Sequence, residues 1–97
     1  MVHEFVGNFS FQKLIIQVNA PRKVGVYYCG KLNKEGTFTP YFIGHGDIRK
    51  QLISHLNESW PKVTHFGYRL CDTPEEAKAT AEAEIVSFHP KYNLKEK

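Results

Sequence analysis

The stretch "VGVYYCGKLNKEGTFTPYFIG", residues 24–44, limits what this chain can fold into more than any other. Two runs rich in valine, isoleucine, tyrosine and phenylalanine flank Asn-Lys-Glu-Gly, a turn signature, so they predict an antiparallel hairpin. Pro40 has no N–H to offer a ladder and belongs at an edge or a bulge of the second strand. Only His45, Gly46 and Asp47 then separate Gly44 from "IRKQLISHLNES", which reads as a helix. Asp47 is a good N-cap for it, and Ile48, Leu52 and Leu56 recur on one face. "WPK" ends that helix, and "VTHFGYRLC" supplies a third core strand. The segment "DTPEEAKATAEAEIVSF" carries a helix-start signature: Thr73 at the N-cap, Pro74 in the first turn and Glu76 to complete a capping box. Pro90 stops it.

Upstream, "FSFQKLIIQV" is apolar and β-branched enough for a strand, with a short helix as the alternative, and Pro21 breaks the chain after it. The order predicts an α+β fold: a small three-stranded antiparallel sheet flanked by helices, with an extra N-terminal strand or helix. A length of 97 residues suits one domain, 1–97, with its core over about 21–94. An apolar fraction of 41% with 13% aromatics fits a packed core rather than disorder. No apolar run approaches the roughly 20 residues that span a bilayer, and the N-terminus has neither the basic nor the apolar region of a signal peptide. Cytoplasmic residence without membrane attachment is the expectation. Cys29 and Cys71 end strand-like runs, where cysteine behaves as a small hydrophobe, and no CxxC or HxxxH spacing suggests zinc. A formal charge of +3 permits nucleic-acid binding without arguing for it.

Three segments in order, "APRKVGVYY", "FIGHGDIRKQLISHL" and "EAEIVSFHPKYN", resemble the GIY-YIG nuclease domain in its UvrC-type and homing-endonuclease branches. Either triplet alone is weak; the ordered set closed by Pro-x-Tyr-Asn is specific. The resemblance implies hydrolysis of phosphodiester bonds in DNA, including branched or damaged DNA, with DNA repair as a setting. It also implies one divalent cation, Mg²⁺ or Mn²⁺, held by a glutamate. Such a cation stabilises charge growing on the leaving oxygen while an arginine neutralises the phosphate.

Residue by residue, the resemblance assigns Tyr27 to the first family tyrosine, where it would orient or deprotonate water. His55 matches the histidine of the family's arginine-bearing helix. His45 stands where UvrC-type members carry lysine. In the closing helix Glu82 sets Ile85 and Val86 at the family's apolar pair, whereas counting back from Pro90 favours Glu84, so both are candidate metal ligands and Glu82 is preferred. Asn93 matches the family asparagine, and Lys91 lies in the same closing segment, where Lys62, Arg22 and Lys23 could join it in touching phosphate. Two positions depart from the pattern. Phe42 replaces the second tyrosine, because Tyr41 faces the other way on a regular strand. Gln51 stands one turn before His55, where the family has its arginine, so Gln51 becomes a nucleic-acid contact. The helix's only arginine, Arg49, projects roughly 200° from Gln51 at ~100° per residue.

Each of these residues has a plainer reading: a core tyrosine, a solvated histidine or arginine, a surface acid on an alanine-rich helix, a local turn cap. The chain is therefore expected to be a metal-dependent endonuclease of reduced activity or, alternatively, a nucleic-acid-binding or protein-interaction module on the same fold. At this length an appended specificity domain has no room, so a homodimer or a partner protein is the expected source of selectivity.

Overall fold

A computed structural model describes residues 1–94 of the chain. Four strands form one antiparallel sheet in the order β1-β4-β2-β3: β1 Val6–Ser10, β2 Val24–Leu32, β3 Phe38–Asp47 and β4 His65–Leu70. Helices α1 Lys13–Asn19 and α2 Ile48–Ser54 cover one face, and α3 Pro74–Phe88 covers the other. A short 3₁₀ turn, His55–Asn57, follows α2, and a last turn of helix, α4 Lys91–Leu94, closes the described chain. The three expected core strands are adjacent, and the N-terminal addition is both a strand and a helix. Phe9 and Ser10 end β1, while the remainder of "FSFQKLIIQV" enters α1 two residues later.

The hairpin forms as the turn chemistry requires. Gly36 takes φ 92°, its N–H bonds to the Asn33 carbonyl, and Asn33 N–H bonds to the Thr37 carbonyl. A bulge falls where Pro40 demands one: Cys29 pairs with Phe42 and Gly30 with Pro40, which leaves Tyr41 as the extra residue. The second strand runs further than the sequence suggests. His45, Gly46 and Asp47 pair with Val26, Gly25 and Val24, so there is no loop before α2. Asp47 ends the ladder and caps the helix at once, its carboxylate accepting from Lys50 N–H at 3.0 Å. The strand can enter a helix this abruptly because Gly46 adopts φ 127°, a region closed to most side chains.

Alternation along β2 divides the core. Tyr27 and Cys29 face α1 and α2 with Ile16, Ile48, Leu52 and Phe66. Val26 and Tyr28 face α3 with Ile43, Ala77 and Ala81. The alanines let α3 lie close to the sheet. At its start Thr73 Oγ1 accepts from Glu76 N–H, while the returning Glu76 carboxylate takes the Asp72 N–H, one residue earlier than a capping box would place it. The helix ends at Phe88, with His89 in a left-handed turn at φ 49° before Pro90. Cys29 and Cys71 are buried free thiols. No helix among the described residues is long and apolar enough to cross a membrane.

Candidate active site

Tyr27 and Gly44 are direct cross-strand partners on β2 and β3. The Tyr27 ring lies across the bare Cα of Gly44, so closely that a Cβ there would collide with Cζ and Oη of the tyrosine. Glycine at this position is a requirement of the ring and not of the backbone. Held in this way, the Tyr27 hydroxyl reaches His55 Nε2 at 2.8 Å. His55 caps the C-terminus of α2, its N–H still reaching the Gln51 carbonyl one helical turn back, and the 3₁₀ turn begins with it.

Burial decides which partner holds the proton. Burial pushes the Tyr27 phenol well above its ordinary pKa, with a smaller push from Cys29, so it stays protonated at neutral pH. Burial also lowers His55 below its ordinary value, against an opposing pull from Glu58, so the ring is neutral at pH 7. A neutral imidazole beside a protonated phenol accepts at Nε2 and carries its proton on Nδ1. That Nδ1 is buried and has no hydrogen-bond partner among the described residues; Glu58 Oε2, at 3.8 Å, is too far to be one. The result is a phenol that donates to a neutral imidazole, with no carboxylate in hydrogen-bond reach of the far ring nitrogen among the described residues. Such an array can take a proton from water.

Gln51 joins this face: its side chain lies over Gly46, two residues along β3 from Gly44. Arg49 does not. Its Nε donates to the Ala20 carbonyl at 2.8 Å, and Arg49 lines a surface pocket with Arg22, Asp47 and Lys50. His45 pairs with Val26 and therefore belongs to the α3 face, where it is exposed.

The closing helix lies across the sheet from Tyr27. Ala77 and Ala81 face the sheet, and at ~100° per residue Glu82 and Glu84 emerge on opposite flanks. Glu84 turns inward along β4, half-buried, with Arg69 Nη1 at 3.3 Å from its Oε2. Glu82 is exposed on α3, on the opposite face of the sheet from Tyr27 and His55, so the fold does not bring the expected cation ligand together with them. No group of three or more His, Cys, Asp or Glu side chains gathers as a metal site among those residues. A lone carboxylate still fits a hard cation that keeps most of its water, and Glu82 offers one without displacing a partner. Asn93 is fixed on the open edge of β3, accepting from Ile43 N–H at 2.7 Å and donating to the Ile43 carbonyl at 3.0 Å. Lys91 is exposed at the start of α4.

An aromatic wall completes the site, and sequence reasoning did not assign it there. Phe42 packs on His55 with ring centroids 4.8 Å apart and on Trp60 at 4.9 Å, and Trp60 stacks on Tyr92 at 5.6 Å and 6°. Phe42 thus occupies the space beside Tyr27 and His55 without a hydroxyl, while Tyr41, the bulged residue, meets Tyr92 instead. Tyr92 was visible inside Pro-x-Tyr-Asn. Trp60 and Glu58 follow α2 with no periodicity to betray them.

No family model and no curated protein matches the sequence. By structure, the chain is similar to the GIY-YIG N-terminal endonuclease domain of UvrC from Thermotoga maritima, solved bound to its catalytic divalent cation, magnesium. The TM-score is 0.65 at 22% sequence identity, over 81% of this chain and 96% of that one. At this identity the likeness establishes the fold: an α+β GIY-YIG-type domain.

Proposed function

We propose that this chain is a slow, divalent-cation-dependent DNA endonuclease that hydrolyses phosphodiester bonds, with Tyr27 and His55 as its proton-transfer pair and Glu82 as its cation ligand. The observation that carries this reading is the 2.8 Å bond between Tyr27 Oη and His55 Nε2 over the bare Cα of Gly44. A water beside Tyr27 gives a proton to Oη as Tyr27 passes its own to His55 Nε2. The hydroxide so formed attacks phosphorus, and the bond to the departing alkoxide breaks. At the end of β3 the Tyr27 ring covers Gly44 and the Gln51 side chain covers Gly46, so a backbone phosphate approaching there would meet these two side chains. Glu82 would hold Mg²⁺ or Mn²⁺ from the α3 side of the sheet, and the cation would supply stabilisation of charge on the DNA phosphate. Asn93 stiffens the β3 edge, and Lys91 adds affinity without sequence preference. Residues 21–94 are the catalytic unit in this reading, acting on DNA that includes branched or damaged forms.

Slowness follows from Gln51. A fixed positive charge beside the phosphate is replaced by a neutral donor, and Arg49 is occupied at Ala20. The same observation favours a second reading, a DNA-binding module in which turnover is lost. A plasmid-nicking assay with Mg²⁺ or Mn²⁺, run beside a Glu82→Ala, Glu84→Ala double variant, separates the two. Nicking that requires both the cation and the acids supports the enzyme; DNA binding with no nicking under either metal supports the module.

A further inference from the structure

On the opposite face of the sheet from Tyr27, beneath α3, lies a cleft of about 220 Å³ that the proposed chemistry does not use. Aromatic rings form its walls: Tyr28 and Phe38 on the sheet, Phe5 from the N-terminal segment and Phe88 from the end of α3. Phe5 meets Tyr28 edge-on at 5.4 Å. Phe88 and Phe5 remain 52% and 42% exposed at the mouth, open to a further ring. The polar groups inside are few and incompletely used. Tyr28 is 4% exposed, and its hydroxyl lies beside Arg69 and Glu84 without forming a well-aligned hydrogen bond to either. Arg69 holds Glu84 through a single contact of 3.3 Å and the His3 carbonyl through Nε at 2.9 Å.

A buried hydroxyl whose polar neighbours are poorly aligned is incompletely satisfied, and its position at the back of an aromatic cleft marks where a ligand atom would complete it. The volume is below the roughly 300–1,000 Å³ of drug-sized sites, so it admits one planar ring system and not a whole nucleotide. Arg69 and Glu84 cancel each other's charge, which disfavours a phosphate or carboxylate and favours a neutral ring. The carboxylate accepts only, the guanidinium donates only and the phenol does either. Guanine alone among the DNA bases presents two adjacent donors, N1–H and the N2 amino group, beside a carbonyl acceptor. Two parallel donors suit a carboxylate, and the carbonyl suits Arg69 or Tyr28. Adenine and cytosine interrupt that edge with a ring-nitrogen acceptor, and thymine has a single donor between two acceptors.

We infer that the cleft formed by Phe5, Tyr28, Phe38, Arg69, Glu84 and Phe88 binds an unstacked guanine base, with its ring between the aromatic walls and its donor edge on Glu84. Unpaired bases are commonly held in this manner, stacked on aromatic side chains and read along the Watson–Crick edge. The choice of a nucleobase over another neutral heteroaromatic ring rests on the nucleic-acid reading above, but the site does not depend on cleavage.

The test is an amide NMR titration of the full chain with dGMP, dAMP, dCMP, TMP and inorganic phosphate, up to about 10 mM. Saturable shifts at Tyr28, Arg69 and Glu84 with dGMP, at least about fivefold weaker with deoxyinosine monophosphate, which lacks the N2 amino group, support the site. Glu84→Gln should bring dGMP down to the level of the other nucleotides, and Phe88→Ala, at an exposed position, should weaken all four. Equal shifts with every nucleotide, shifts reproduced by phosphate alone, or none at these residues overturn the inference, since a water then suffices for Tyr28. Nicking is scored separately on Phe88→Ala. A chain that binds dGMP but never nicks retains the base site and loses the nuclease reading, and a chain that nicks without dGMP shifts does the reverse.

Discussion

Replacing Gly44 with alanine probes the geometry on which the site depends. The added methyl would fall well inside contact distance of Tyr27 Oη and Cζ and 3.0 Å from Cε1. Ordinary carbon contacts lie at about 3.5–4.0 Å, so the tyrosine must retreat by roughly 1 Å at its hydroxyl end. It has little space for that, because Tyr27 is 3% exposed and its ring is flanked by Phe42 and His55. Two costs follow. Overpacking of this kind typically destabilises by about 1–3 kcal/mol, and for a domain of this size each kcal/mol lowers Tm by about 4–8 °C. A shift of about 1 Å in a reacting group can also cost about 10²-fold in rate. Thermal unfolding followed by circular dichroism should therefore show Gly44→Ala melting about 5–20 °C lower. Nicking, measured well below that melting point, should fall about 10²-fold. An unchanged Tm would refute the claim that the ring is held across Gly44. A lowered Tm with unchanged nicking would refute the claim that Tyr27 takes part in the chemistry.

The remaining expectations concern charge. Gln51→Arg should raise nicking by about 10²–10³-fold, the usual worth of a transition-state donor, whereas Arg49→Ala should mainly lower Tm because it loses the Ala20 contact. His55 is depressed by burial, so between its folded and unfolded pKa values the unfolded chain binds the extra proton. Its contribution to stability is full above about pH 6.5 and declines as pH falls through and below that value; urea unfolding at pH 7.5 and 5.0 should show the loss, smaller in His55→Gln. Mn²⁺ added with a short DNA duplex should broaden amide signals around Glu82 before those around Glu84, and broadening centred on Glu84 would move the cation to the other flank of α3.

Much of the scaffold was legible because local chemistry and tertiary packing agree. Asn33 and Gly36 name the hairpin turn, Pro40 names the bulge, Asp47 and Thr73 name two helix starts, and each does so through its own backbone preference. What escaped was decided by partners far away in sequence. Nothing in "HGD" reveals that these residues remain paired to "VGV", since glycine at φ 127° is as compatible with a loop as with a strand that ends in a helix. The 3₁₀ turn that follows α2 from His55 is likewise invisible to a helical wheel, which assumes a constant 3.6-residue period. The ordered motifs nominated Tyr27, Gln51 and His55, and the fold gathers those three on one face. It sends His45, Arg49 and Glu82 elsewhere: strand parity fixes the first, the Ala20 carbonyl holds the second, and α3 carries the third on the opposite face of the sheet. The aromatic wall of Phe42, Trp60 and Tyr92 comes from three separate segments, so only the folded chain could show it.

The most direct test of the account is single-turnover nicking of supercoiled plasmid by Tyr27→Phe beside the unaltered chain, in Mg²⁺ and again in Mn²⁺. The substitution keeps the ring over Gly44 and removes only the hydroxyl that His55 engages. The account predicts slow, cation-dependent nicking by the unaltered chain and a loss of at least about 10²-fold in Tyr27→Phe, with DNA affinity retained. Equal rates for the two proteins would contradict it.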